Sequence, residues 1–172
     1  LATFAGLSIN KAATGYTLTA SATSRTGATS TTFNITAGAA AAIAVNAGNG
    51  QSATAGSAVA TAPSVIVTDA NGNPKQAVSV TFAVDSGGGI VDPISAVTTN
   101  ASGVATVTSW TLGATAGANS LTATSAGLTG SPVTLTASGT PGLASQVILT
   151  MSPTGTLASG ATRTLTATLQ DA

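Results

Sequence analysis

The stretch Val78-Ser79-Val80-Thr81-Phe82-Ala83-Val84 decides the fold class of this chain. Its large apolar residues alternate strictly with small or polar ones, so one face of the extended segment is apolar. An alternation with a period of two predicts a β-strand with one side in a core and the other in solvent. The core residues predicted from this strand are Val78, Val80, Phe82 and Val84.

The composition extends this prediction to the rest of the chain. Threonine and valine carry a branched Cβ that favours extended backbone, and 20 glycines and six prolines supply turns. No segment is predicted to form a significant helix. About seven short strands in each stretch of roughly 100 residues predict an all-β fold, made of immunoglobulin-like antiparallel β-sandwich repeats. The further strands are predicted at residues 43–45, 64–68, 105–112, 120–124 and 133–137.

The predicted strand at residues 105–112 has an irregular apolar spacing. Val107 and Trp110 are three positions apart, which breaks the alternation and predicts a β-bulge between them. Large apolar side chains at these positions and in the strand at 120–124 complete the predicted core with Val107, Trp110, Leu112 and Leu121.

Self-similarity at a spacing of about 100 residues, the length of one immunoglobulin-like domain, divides the chain into repeats. The spacing of Phe4, Leu7 and Ile9 matches that of Val107, Trp110 and Leu112. The segments 35–37 and 135–137 also align, as do 69–70 and 171–172. We therefore predict the last strands of a partial repeat at residues 1–37, a complete sandwich at 38–139, and the first strands of a further partial repeat at 140–172.

Several motifs resemble the bacterial immunoglobulin-like repeats of the invasin and intimin group. They are Val67–Pro74, Val78–Val84, Thr99–Val107 and Leu112–Gly117. The resemblance implies repeats that are stacked in the stalks of large adhesin or surface proteins, at the cell surface or outside the cell. It implies no catalytic residues.

The residue types exclude most chemistry. The chain has no histidine, cysteine or glutamate, so the usual bases and nucleophiles of catalysis are missing, and we expect neither an enzyme nor a cofactor. Charged residues make up 5% of the chain and its formal net charge is zero, without a basic cluster that would bind nucleic acid. No uninterrupted apolar run is long enough to insert into a membrane.

One loop has the alternating oxygen ligands with which a calcium loop begins, at Asp69, Asn71 and Asn73. An EF-hand would need glycine at the sixth position and glutamate at the twelfth, where this chain has Pro74 and Val80. The EF-hand is therefore excluded. A strand-connecting turn or a calcium site shared with a neighbouring domain remains, and no other metal ligands are predicted.

Asn34 and Asn100 each begin an Asn-x-Ser/Thr pattern, which makes them candidates for N-glycosylation. Outward-facing threonines alternate along several predicted strands, among them Thr134 and Thr136. Such rows are ordinary on a solvated strand face, and flat rows can also bind carbohydrate or ice.

Three functional hypotheses follow. The chain is a structural segment of an extracellular stalk or fibre whose partners are identical or neighbouring repeats of the same protein. A sharper form is a homo-oligomer or filament whose subunits are completed by strand exchange. The alternative is an adhesin module that recognises carbohydrate, ice or a host-surface ligand through its loops or its threonine-rich faces.

Overall fold

The computed structural model describes residues 2–152 and 154–171, and every regular element in these ranges is a β-strand. Leu1, Pro153 and Ala172 lie outside the described residues. The prediction of an all-β fold is confirmed. The strands are β1 (Ala13–Tyr16), β2 (Thr19–Ala20), β3 (Ala28–Thr29), β4 (Phe33–Ile35), β5 (Ala40–Ala47), β6 (Gln51–Thr54), β7 (Ser64–Asp69), β8 (Ser79–Ser86), β9 (Gly89–Asp92), β10 (Val97–Thr98), β11 (Val104–Thr106), β12 (Ser109–Leu112), β13 (Gly117–Thr124), β14 (Val133–Thr140), β15 (Ala144–Ser152) and β16 (Thr164–Asp171).

Strands β5 to β14 form an immunoglobulin-like sandwich, which we call the central domain. One layer is a five-stranded sheet in the order β10-β8-β13-β14-β6. The other layer contains a three-stranded sheet, β11-β7-β5, and the pair β12-β9. All strand pairs are antiparallel except β14 and β6, which run parallel with Ala137 opposite Gln51 and Thr140 opposite Thr54.

The core of the central domain lies between these layers. Of the predicted core residues, Val78 and Val84 are half-buried and pack against the core, whereas six are buried: Val80, Phe82, Val107, Trp110, Leu112 and Leu121. The strands β7 and β14 contribute further buried residues, including Val65, Val67 and Leu135. Burying these apolar side chains is the main source of the domain's stability.

The segment predicted as one bulged strand is two strands in different sheets. β11 pairs with β7, whereas β12 pairs with β9. Val107 and Thr108 make the crossing, and their N–H groups donate to Pro63 O at 3.1 Å and to Asp92 O at 2.7 Å. The expected β-bulge was therefore wrong, since the break in alternation between Val107 and Trp110 marks a change of sheet.

Two hairpin units flank the central domain and repeat its strand pairing. In β15–β16, Val147 is opposite Leu169, as Ile43 is opposite Val67 in β5–β7. The ends of the two hairpins also correspond: Ala144 is opposite Asp171, and Ala40 is opposite Asp69. The two hairpins thus pair corresponding residues in the same way, and their origin as repeats of one unit stays a prediction.

The strands β1 to β4 pair antiparallel, β1 with β4 and β2 with β3, as β13 does with β14. Tyr16 is opposite Phe33, as Asn119 is opposite Ala137. The alignment of residues 35–37 with 135–137 stays a prediction. The domain boundaries at residues 37 and 139 stay a prediction.

Candidate functional site: the junction at Asp69 and Asn73

The loop that follows β7 folds around the carboxylate of Asp69. Asp69 Oδ1 accepts hydrogen bonds from the backbone N–H groups of Asn71 at 2.9 Å and Asn73 at 2.8 Å. The backbone closes the same turn, because Asp69 N donates to Asn73 O at 2.9 Å and Gly72 N donates to Asp69 O at 3.1 Å. Aspartate is favoured in such turns because its side chain can accept from backbone N–H groups two or more residues further along.

The second carboxylate oxygen of Asp69 reaches out of the loop. Asp69 Oδ2 accepts from Gly38 N at 2.8 Å and from Asn73 Nδ2 at 2.9 Å. Four N–H groups thus surround a side chain that is only 4% exposed. The Asn73 side chain, followed by Gly38 N–H, lowers the pKa of Asp69 from 3.8 to about 2, since hydrogen bonds to the charged form favour that form.

Asn73 binds the chain that precedes the central domain. Its Nδ2 donates to Asn10 O at 2.7 Å, and its Oδ1 accepts from Ala12 N at 2.8 Å. In an extended chain, the carbonyl of one residue and the N–H of the residue two positions later point to the same side. The side-chain amide of Asn73 therefore bonds to Asn10 and Ala12 in the way that the backbone of a neighbouring strand would. The Asn73 side chain is buried in this contact.

Lys75 adds a further bond across the same junction. Its Nζ donates to Ala37 O at 3.3 Å. Its backbone is fixed to the central domain, because Lys75 N donates to Val67 O at 2.9 Å and Lys75 O accepts from Thr99 Oγ1 at 2.8 Å. We call the side chains of Asp69, Asn73 and Lys75 the junction clamp, because together they hold Asn10, Ala12, Ala37 and Gly38 against the central domain.

The candidate calcium ligands are engaged in this clamp. The oxygens of Asp69 and Asn73 accept hydrogen bonds from N–H groups, whose positive ends point to where a cation would have to lie. Asn71 is exposed and contributes its backbone N–H. Within residues 2–152 and 154–171, no three His, Cys, Asp or Glu side chains gather in a way that could hold a metal ion.

The remaining candidates lie on the surface. Asn34 and Asn100 are exposed; Asn34 Oδ1 accepts from Gly15 N at 3.0 Å, and Asn100 Oδ1 accepts from Ser102 N at 2.9 Å. Glycosylation of either stays a prediction. On the five-stranded sheet, Thr134 and Thr136 are exposed, and Thr136 Oγ1 donates to Asn49 Oδ1 at 3.2 Å.

Sequence reasoning placed Asp69 and Asn73 in a turn but missed their bonds to residues 10–12 and 38. It also missed Asn119, which is 2% exposed. Asn119 Oδ1 accepts from Gly113 N at 3.0 Å, and Asn119 Nδ2 donates to Gly117 O at 3.1 Å. The only sign of this role in the sequence was the position of Asn119 close to two glycines, Gly113 and Gly117. Buried side-chain amides usually bond to backbone groups, and glycines often mark the turns that offer such groups.

We expect the junction clamp to loosen in acid. The pKa of Asp69 is lower in the folded protein than its ordinary value of 3.8. Its charge therefore contributes stability that is fully present above about pH 4 and is lost as the pH falls through about 2. Thermal unfolding followed between pH 5 and pH 2 should show this loss in the native chain.

The matched control for the acid experiment is Asp69→Asn, which keeps the shape of the side chain and cannot titrate. We expect this variant to be less stable at pH 5 and to lose less stability than the native chain on acidification. If both proteins lose the same amount, then other carboxylates cause the acid sensitivity.

The comparisons with known proteins concern the fold. No family model matches the chain, and no curated protein matches its sequence. The chain is similar to the solved structure of the D00-D0 domain of intimin, with 23% identity and a TM-score of 0.46, over 73% of this chain and 64% of that one. It is also similar to the Escherichia coli adhesin FdeC, with 20% identity and a TM-score of 0.49, over 82% of this chain and 45% of that one.

The chain spans less than two thirds of the length of either structure. No helix in the described ranges has the length and hydropathy needed to cross a bilayer.

Proposed function

We propose that this chain is a structural segment of an extracellular bacterial surface stalk or fibre. The junction clamp carries this proposal. A stalk is stiff only if each domain is held at a fixed angle to the next. A single covalent linker would leave that angle free. Asn73 replaces this freedom with two hydrogen bonds to the preceding unit.

The surface of the described residues supports a passive role. The loops that join the strands carry mainly small residues, whereas recognition usually uses loops rich in aromatic or charged side chains. The chain carries no histidine, cysteine or glutamate for acid–base or nucleophilic catalysis. A non-enzymatic structural element at the cell surface is the function that these features support best.

A finer form of the proposal is self-assembly by strand exchange between neighbouring subunits. This form takes the flanking hairpins as repeats of β13–β14 and of β5–β7, because their strands pair in a similar way and because β5, β7, β13 and β14 share one core in the central domain. Neighbouring or identical repeats are thus the natural partners of both hairpins. In either form the chain binds other copies of its own repeat.

The stiffness of the junction tests the stalk proposal. Because the chain contains no cysteine, Ser21→Cys and Thr81→Cys place two spin labels at unique sites, one on each side of the junction. We expect a single narrow distribution of distances between the labels. Asn73→Ala should broaden it, because the Asn10 and Ala12 backbone groups lose their partner.

The matched control for this experiment is Asn49→Ala. Asn49 also accepts a backbone hydrogen bond, from Thr136 N at 2.8 Å, but within the central domain. Its removal should leave the distance distribution narrow. A broad distribution in the native chain, or one that Asn73→Ala leaves unchanged, would contradict a clamped stalk.

A further inference from the structure

Two asparagines of the chain are followed directly by glycine, in the pairs Asn49-Gly50 and Asn71-Gly72. In such a pair the backbone nitrogen of the glycine can attack the side-chain carbonyl carbon of the asparagine, because glycine has no Cβ to hinder the approach. The two pairs have a similar setting: both asparagines are exposed, and the glycines have a positive φ of 71° at Gly50 and 80° at Gly72. They differ in how the asparagine side chain is held.

The side chain of Asn49 is fixed to a strand of the central domain. Its Oδ1 accepts hydrogen bonds from Thr136 N at 2.8 Å and from Thr136 Oγ1 at 3.2 Å. The attacking nitrogen of this pair is held as well, because Gly50 N donates to Thr136 O at 2.8 Å. These hydrogen bonds to β14 would have to break before Gly50 N could reach the side-chain carbon of Asn49.

The side chain of Asn71 is not restrained in this way. Among residues 2–152 and 154–171 it has no hydrogen-bond partner, although its backbone N–H donates to Asp69 Oδ1. Gly72 N donates to Asp69 O at 3.1 Å, a bond inside a single four-residue turn. Asn71 and Gly72 also line an open cavity of about 400 Å³ together with residues 10–12, so the Asn71 side chain has room to rotate.

We propose that Asn71 is a site of spontaneous modification to isoaspartate, and that this change releases the junction clamp. Gly72 N gives up its proton and attacks Asn71 Cγ, the Cγ–Nδ2 bond breaks, and Nδ2 leaves as ammonia with that proton. The product is a five-membered imide ring, which water opens at one of its two carbonyl carbons. Opening at Cγ gives aspartate. Opening at the former backbone carbonyl gives isoaspartate, whose main chain runs through the side-chain carbons and is one atom longer.

The longer main chain would lie inside the loop on which the junction clamp depends. Asp69 Oδ1 accepts from Asn71 N and from Asn73 N, and the extra atom falls between these two donors. Asn73, which would be displaced, also bonds to Asn10 O and Ala12 N. The reaction further replaces a neutral amide with a carboxylate two residues from the Asp69 carboxylate, and like charges repel. We therefore expect the junction to loosen as Asn71 is converted.

Incubation of the folded 172-residue chain in mildly alkaline buffer, which favours loss of the glycine N–H proton, tests the site. Cleavage after Arg25 and Lys75 then gives one peptide that contains both asparagine–glycine pairs. Fragment-ion mass spectrometry therefore compares Asn49 and Asn71 within the same molecules. We expect Asn71 to convert about tenfold faster than Asn49, or more, because Asn49 must first lose its hydrogen bonds to β14.

The same incubation in concentrated urea is the control. Unfolding removes the hydrogen bonds that distinguish the two pairs, so Asn49 and Asn71 should convert at similar rates. Equal rates in the folded chain would overturn the assignment of Asn71. A folded chain in which Asn71 stays intact while it converts in urea overturns the assignment as well.

The spin-labelled chain with Ser21→Cys and Thr81→Cys tests the release of the clamp. We expect the distribution of distances to broaden as the fraction of isoaspartate at position 71 rises. Asn71→Ala keeps the backbone N–H that bonds to Asp69 and cannot form the imide, so its distribution should stay constant during the incubation. An unchanged distribution in the native chain after most of Asn71 has become isoaspartate overturns the release of the clamp.

The release of the clamp rests on the proposed stalk function, whereas the modification of Asn71 does not. A broad distribution of distances in the fresh native chain contradicts the clamped stalk, and mass spectrometry still decides whether Asn71 is the modified site. A narrow distribution together with an Asn71 that does not convert retains the stalk and overturns the modification. The two failures are therefore distinguishable.

Discussion

Replacing Trp110 with alanine should lower the free energy of unfolding of the central domain by about 3–5 kcal/mol, the cost of removing a large aromatic side chain from a core. Trp110 is fully buried, and among the fully buried side chains of the described residues it has the largest volume. Its Nε1 has no hydrogen-bond partner within the described residues, so its stabilising effect comes from packing. The surrounding strands are paired across two sheets and cannot collapse far into the space.

Urea unfolding followed by far-ultraviolet circular dichroism measures this loss, since the variant lacks the only tryptophan. Ile90→Ala is the matched control. Ile90 is 68% exposed on β9, the strand that pairs with β12, and its truncation should change stability by no more than about 0.5 kcal/mol. A loss of less than about 1 kcal/mol for Trp110→Ala would show that the core does not depend on this residue.

Replacing Gly113 with alanine should cost about 3 kcal/mol or more, at the upper end of the range for overpacked sites. A Cβ at position 113 would lie 1.8 Å from Gly87 O, an overlap that only a backbone shift can relieve. The backbone of Gly113 is itself fixed, because its N–H donates to Asn119 Oδ1 and its carbonyl accepts from Gly56 N. A shift of Gly113 that relieves the clash would therefore strain these two bonds.

Gly38→Ala is the control for the effect of a methyl group alone. Its Cβ would lie 3.5 Å from Asp69 Oδ2, which is ordinary van der Waals contact. We expect a change within about 0.5 kcal/mol in the same urea experiment. Equal losses for the two glycine variants would mean that the close approach of residues 87 and 113 is not what limits position 113.

The sequence predicted those parts of the fold that carry a strong apolar alternation. The strand at Val78–Val84 is β8, and the residues on its inner face pack in or against the core. In the central domain the strands β6, β9 and β10 were missed. β6 consists of small and polar residues, β9 begins at the last of three consecutive glycines, and β10 has only two residues. Their strand character comes from distant partners, such as Ala137 opposite Gln51, which no local pattern reports.

The break in alternation before Trp110 was visible, but its meaning was not. A β-bulge and a change of sheet both shift the parity of a strand, and only the partners of β11 and β12 distinguish them. The junction clamp could not be predicted from the sequence for a similar reason, because its partners are not visible in the residue types. Asn73 binds the backbone of Asn10 and Ala12, and backbone groups are present at every residue whatever its type.

The parallel pairing of β6 with β14 has a mechanical consequence. The two strands run side by side in the same direction, with Gly50 N bonded to Thr136 O and Ala55 N to Thr140 O at the two ends, both at 2.8 Å. A force that pulls the start and the end of the central domain apart drags these strands past each other lengthwise. The bonds between them are then loaded together rather than one after another. The domain should therefore yield to tension in one abrupt step at high force.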